Sequence, residues 1–354
     1  MDQPSTLRAF GIERAAAWLI ILAIVVFCLV YFSNFLQPIV IAGMIWYAVF
    51  ELKRLFGKIS IKGKRFPSWL LTILAFLIIF LIAIGIYEII VLNLQLIIDK
   101  SPVYVSNFKS MIANLKTLEG FEVIQERILE AVSSFNIQPL LTGLLNSLTN
   151  IAGNIFIIII YVAFLLVEEK FFTKKLSLWV KDPAQLKKVT AIIDQVAQAT
   201  RKYISIKTQM SVLTGLLSYV ILLVFDVDFP VWWAFLIFLL NYIPYIGSFF
   251  ATLLPAVFAM FQFQSFWIFL WLFLAIQAVQ LLVGNVLEPK IMGRTLNLSP
   301  LGVLLALTFW GVIWGVLGMI LSVPITSVMV ITCARFEQTR FIAIWLSETG
   351  DVEQ

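Results

Sequence analysis

Two stretches of this chain, Pro230–Gln262 and Pro300–Cys333, are each over thirty residues of nearly unbroken hydrophobicity. As ideal helix either would be about 50 Å long, too long for one comfortable bilayer crossing and too short for two. Both are interrupted near the middle. The first carries Asn241, Pro244, Gly247 and Pro255; the second carries Gly311, Gly315, Gly318 and Pro324. Peptide groups released by such residues need other partners, and inside a bilayer those exist only within protein or in a water-filled cavity. Paired Gly/Pro-interrupted segments point to a transporter site built from discontinuous helices. Two folds are open: kinked single spans, or helices that break and return to the side they entered from.

Composition agrees with a membrane setting. Apolar residues make up 61% of the 354 and charged residues only 13%, with a mean hydropathy of +1.00. A soluble domain needs more polar surface than this mixture supplies. The expected fold is an all-α polytopic membrane protein of about eight transmembrane helices, two of the C-terminal segments being interrupted or re-entrant. Six other spans read directly from the sequence, at roughly 14–32, 36–52, 68–97, 148–167, 208–226 and 265–287.

The net charge of +5 reflects basic loops beside apolar runs rather than affinity for nucleic acid. The loop 53–65 holds six Lys/Arg and no acid, and 168–207 holds nine against four acids. The N- and C-termini are accordingly expected in the cytoplasm. The chain divides into helices one to three (1–98), an extracytoplasmic amphipathic segment (99–147) that lies at the interface or packs on the spans, and a fourth span with a cytoplasmic amphipathic helix (148–207). A C-terminal transport core (208–334) and a cytoplasmic tail (335–354) follow.

There is no histidine. A Ser-His dyad, an imidazole proton relay and a histidine zinc site are therefore excluded, and no cofactor or metal is expected. Cys28 and Cys333 both lie in apolar spans and read as free thiols. A Gly-x-x-x-x-Gly-Lys-Ser/Thr loop and a Gly-x-Gly-Asp motif are absent, which argues against ATP-driven transport within the chain and against an intramembrane enzyme. A non-transporting membrane scaffold is the alternative of another class.

Polar residues inside the apolar runs are the site candidates. Gln277, Gln280, Gly284 and Glu288 recur at offsets of three and four, on one helical face, with Asn285 beside them. Such a stripe would line a path for a hydrophilic solute, or equally bond to a neighbouring helix. With Asn241, the residues Gln277, Gln280 and Asn285 are the expected hydrogen-bonding set. Pro244, Gly247, Pro289, Gly293, Gly311 and Gly315 would permit breaks and movement. Glu288 paired with Lys290 or Arg294 would gate or couple transport, and Glu88 is a further candidate ion site. Asn146, Asn150 and Asn154 repeat every four residues, as in a wet vestibule or a tight helix interface.

The run Asn241-Tyr-Ile-Pro244-Tyr-Ile-Gly247, then Glu288-Pro289-Lys290-x-x-Gly293 with Leu296, Leu298 and Pro300, and then the glycine-rich final span closing at Pro324, resembles the autoinducer-2 exporter family of bacterial membrane proteins. The resemblance extends over essentially the whole chain, including Gln37-Pro38, Pro67 and Gly215. It implies an inner-membrane permease that works as a homo-oligomer, a pentamer, and exports the furanosyl signal autoinducer-2. Other members are similar to sodium(lithium)/proton antiporters, so a monovalent cation is the alternative cargo to a small hydrophilic solute. Ser248 departs from the family pattern, where many relatives carry proline, and the spans are poor in acids.

Overall fold

The computed structural model describes residues 5–58, 60–61, 64–114, 138–293 and 297–351. Helix α1 (Ser5–Tyr31) turns at Phe32 into α2 (Ser33–Phe56), and the basic loop after it holds a two-residue antiparallel ladder, β1 (Ser60–Ile61) with β2 (Lys64–Arg65). Three long helices follow: α3 (Ser68–Asn114), α4 (Gln138–Trp179) and α5 (Pro183–Val224). The C-terminal half comprises α6 (Pro230–Leu240), α7 (Ile246–Phe263), α8 (Phe266–Gln280), a π-helical turn (Leu281–Leu287), α9 (Glu288–Met292), α10 (Pro300–Cys333) and α11 (Arg340–Leu346). Among the described residues, six helices are long and apolar enough to cross a bilayer, with shorter apolar helices over Leu19–Tyr31 and Pro230–Leu240.

Residues 99–114 continue α3 without a break and pack on α7 through Tyr104 on Phe258 and Phe108 on Phe261, at 4.8 and 4.7 Å between ring centres. The rest of the expected amphipathic stretch, 115–137, lies outside the described residues.

Helix α5 is the ruler against which the rest can be placed. It starts on Asp182, whose carboxylate accepts from the Ala184 N–H at 3.0 Å, with Pro183 in the first turn where no amide donor is needed. Its inner face repeats every four residues as Tyr203, Lys207, Ser211 and Gly215. A Cβ on Gly215 would sit 3.1 Å from the Ala234 carbonyl, so glycine lets α6 lie directly on α5.

The first over-long segment is a hairpin. α6 and α7 run antiparallel, so Trp233 and Phe258 meet at 5.1 Å and Phe229 and Phe258 at 6.0 Å. The two ends are tied together: the Gln262 amide accepts from the Asp228 N–H at 2.8 Å and donates to the Asp226 carbonyl at 2.9 Å. Leu222, Trp233, Ile237, Ala251, Ala259, Leu272 and Ile276 form one buried cluster joining α5, both limbs and α8.

The second segment also folds back. At Gly315 the backbone takes φ 62° and ψ −140°, a region only glycine populates readily. Trp310 donates its indole N–H to the Thr326 hydroxyl at 3.1 Å, sixteen residues away. In a straight helix those two residues would be about 24 Å apart. The ends again share one side: the Ser299 N–H donates to the Leu346 carbonyl at 2.9 Å, and the Arg335 guanidinium to Gln195.

Both hairpins close on a glycine that admits no side chain. A Cβ on Gly247 would lie 1.8 Å from the Leu240 carbonyl oxygen, and one on Gly318 would lie 1.8 Å from that of Trp310. Of the two folds open to these segments, both adopt the re-entrant one and neither is a single span. Their open ends sit at opposite ends of α5, beside Phe225 and beside Gln195, about 45 Å apart along the helix. The two hairpins thus enter from opposite sides.

Candidate functional site

The tip of the first hairpin is polar and is held by α5. Asn241 is buried and donates its side-chain amide to the Ser211 hydroxyl at 3.1 Å, while the Tyr242 hydroxyl donates to Thr208 at 2.8 Å. Ser211 lies sixteen residues from Gln195 and fourteen from Phe225, so the tip ends close to halfway along this stretch of α5. Ser248, where the family pattern has proline, donates to the Tyr245 carbonyl at 2.9 Å and thereby reinforces the turn.

Facing the tip, the helix after Phe266 loosens into the π turn. Proline at 289 removes an amide donor and crowds the carbonyl four residues earlier, and a wider turn upstream relieves that crowding. The Glu288 N–H accordingly reaches back five residues to the Val283 carbonyl. The Gly284 carbonyl then has no helical donor at either i+4 or i+5, since Glu288 is engaged and Pro289 has no N–H. Gly293 ends α9 at φ 58° and ψ −149°, again a glycine conformation.

Between these elements lies a cavity of about 520 Å³. Of the residues the sequence singled out, Asn241, Pro244, Gln277, Gln280, Gly284, Asn285, Glu288, Pro289 and Gly293 all line it. The Gln280 side chain is buried, and its amide nitrogen has no hydrogen-bond partner. Gln280 thus stands in the cavity wall with the amides of Asn241, Gln277 and Asn285, an arrangement suited to a molecule that brings hydroxyls of its own.

Other predicted residues fall elsewhere. Gly247 is behind the tip, and Gly311 and Gly315 are at the far end of the second hairpin, away from the cavity. Lys290 is exposed and does not line it. Glu88 is exposed on α3, with no hydrogen bond or ion pair among the described residues. Arg294 and the side chains of Asn146 and Asn150 lie outside the described residues.

The expected partner of Glu288 requires correction. Its carboxylate is held by Lys207 of α5, whose ammonium donates to both oxygens at 2.8 and 3.0 Å. The two side chains are 8% and 15% exposed, so the pair is largely desolvated. Neither Lys290 nor Arg294 is needed to account for it. Lys207 was counted in the sequence only among the nine cations of 168–207; its position four residues after Tyr203 and four before Ser211 was the available signal. Tyr203 and Ser248 also line the cavity, as do Val303 and Val323 from the two limbs of the second hairpin.

Residues 19–338 match the sequence model described as AI-2E family transporter. The chain is 34% identical over 229 residues to the AI-2 transport protein TqsA of Escherichia coli (strain K12), the match covering 65% of each. It is 31% identical over 296 residues to a putative transport protein of Haemophilus influenzae, covering 82% of this chain and 84% of that one. With the putative transport protein YueF of Bacillus subtilis it shares 25% over 314 residues, covering 85% and 84%. The chain thus spans a little under two thirds of TqsA and most of the other two. A match over most of the chain, together with the all-helical membrane architecture, establishes that this protein belongs to the AI-2E family of transporters.

Proposed function

We propose that this transporter exports a small hydrophilic solute, autoinducer-2 in particular, across the bacterial cytoplasmic membrane by a secondary or facilitative mechanism. The observation that carries the reading is the cavity at the first hairpin tip, with the amides Asn241, Gln277, Gln280 and Asn285 in its wall. Uncharged amides bind hydroxyls without the desolvation cost of a buried ion. The volume lies within the ~300–1,000 Å³ of sites that hold small molecules. A furanose-like signal fits that chemistry, and one relative is named for AI-2 transport.

In this reading Asn241, Gln277, Gln280 and Asn285 bind the solute. Pro244, Gly247, Pro289, Gly293, Gly311 and Gly315 let the two hairpins shift so that the cavity opens to either side. Lys207 and Glu288 form the gate, and both carboxylate oxygens are already engaged, which favours gating over sodium or proton coupling. The excess of Lys/Arg in the loop 53–65 and the stretch 168–207 supports a cytoplasmic position for their end of the molecule and for both termini. A homo-oligomer, pentameric as the family resemblance implies, is the expected assembly.

The test is autoinducer-2 flux in proteoliposomes. Wild-type protein should accelerate flux over empty liposomes, and Asn241→Leu and Gln280→Leu should each lower it by roughly tenfold or more, as expected when a buried polar partner is removed. Flux equal to empty liposomes, or unchanged in both variants, would refute the proposal.

A further inference from the structure

One residue lining the cavity, Glu348, comes from the C-terminal segment, beyond the residues 19–338 that match the family model. After the last limb of the second hairpin, α11 turns the chain back over the start of α10. Ala343 and Ser347 are buried there, and the Leu346 carbonyl accepts from the Ser299 N–H. A Cβ on Gly302 would lie 2.9 Å from that same carbonyl, so the segment is pressed against α10 rather than draped over it. The next residues form a tight turn. Ser347 accepts from the Gly350 N–H at 3.0 Å and donates to the Ile344 carbonyl at 2.8 Å. Asn297, which also lines the cavity, donates its side-chain amide to the Asp351 carbonyl at 2.6 Å. This turn carries Glu348 to the cavity.

The charges lining the cavity among the described residues are three: Lys207, Glu288 and Glu348. The first two neutralise one another at close range. Glu348 has no hydrogen bond or ion pair among the described residues, so its charge is the net charge that the described wall presents. A carboxylate in that position raises the local concentration of cations and lowers that of anions. It also accepts hydrogen bonds from hydroxyl groups.

We propose that Glu348 is a specificity-determining residue: the C-terminal turn completes the solute cavity and biases it toward neutral polyhydroxyl and cationic solutes and against anionic ones. This rests on the transport reading given above for the same cavity. The proposal makes a sequence feature outside the shared family region responsible for part of the selectivity.

The experiment measures the electrostatics of the cavity without requiring transport. In the full-length chain bearing Cys28→Ala and Cys333→Ala, Gln277→Cys places a thiol on the cavity wall. Its rate of modification is measured with a trimethylammonium-ethyl and a sulfonato-ethyl methanethiosulfonate. The same is done with Glu348→Gln and Glu348→Lys added. Glu348 is exposed, and both replacements leave the buried contacts of α11 intact. The cation-to-anion rate ratio should fall on the order of fivefold with Glu348→Gln and about as much again with Glu348→Lys, the scale of one unit charge acting across a wet cavity. A ratio unchanged in both variants overturns the proposal. Because labelling occurs whether or not solute moves, a wild-type chain inactive in the flux assay, alongside the stepwise fall in the labelled variants, would sink the transport reading and leave the charge assignment standing.

Discussion

At the tip of the first hairpin the chain turns through Asn241–Tyr245, and two of those residues hydrogen-bond to Ser211 and Thr208 of α5. At the tip of the second it turns on Gly315, and the limb beside that turn carries Trp310, Ile313 and Trp314, packed on Val26, Leu29, Leu36 and Val40 of the first two helices. The closing device is shared: Gly247 and Gly318 each press on a carbonyl of the opposite limb. The surroundings are not. Five residues at or near the first tip, Asn241, Ile243, Pro244, Tyr245 and Ser248, line the cavity, whereas the second hairpin contributes only Val303 and Val323 from its limbs. One hairpin supplies chemistry, while the other supplies an apolar wall and an anchor to the N-terminal helices. A fold that repeats a steric solution need not repeat its function.

The largest effects should come from the shared device. Gly247→Ala and Gly318→Ala each force a methyl into a backbone oxygen and should cost about 4 kcal/mol or more, read as loss of folded protein in thermal unfolding. Equal losses would confirm that both hairpins close in the same way; a tolerated Gly318→Ala would break the parallel.

Next comes the asymmetry. Lys207→Met or Glu288→Gln alone leaves a largely buried charge without its partner and should cost about 3 kcal/mol, whereas the double variant should recover most of it. If the double variant were as unstable as the singles, the pair would not be the coupled unit described here.

Smaller is Gly315→Ala. The Cβ would meet no atom within 4 Å, so only the backbone conformation is penalised, by about 1–3 kcal/mol in the same unfolding assay. Smallest are Lys290→Ala and Glu88→Gln, both exposed, which should change stability by less than about 0.5 kcal/mol and leave flux unaltered.

Much of the C-terminal half was legible. Over-length apolar runs with central Gly and Pro narrowed the two segments to kinked spans or hairpins, and the stripe Gln277, Gln280, Gly284, Glu288 narrowed that face to a solute path or a helix contact, because period and backbone chemistry are local properties. What escaped was set by contacts distant in sequence. Gly311, Gly315 and Gly318 are alike in the sequence, but the residue equivalent to Gly247 in close packing is Gly318, and Gly315 serves the turn itself. Lys207 was hidden in a run of solvated lysines, and only α5 passing beside the π turn makes it the partner of Glu288. Glu348 was hidden in the tail, since nothing local says that the chain returns to the cavity.

The central claim is that two hairpins enter from opposite sides, and cysteine accessibility in sealed vesicles tests it most directly. Single cysteines at Asp226, Gln264, Asn297 and Glu337, in a chain bearing Cys28→Ala and Cys333→Ala, would be labelled with a membrane-impermeant maleimide. Positions 226 and 264 should react from one face only, and 297 and 337 only from the other. If 226 and 264 reacted from opposite faces, the first segment would be a single crossing and the cavity between the hairpins would not exist.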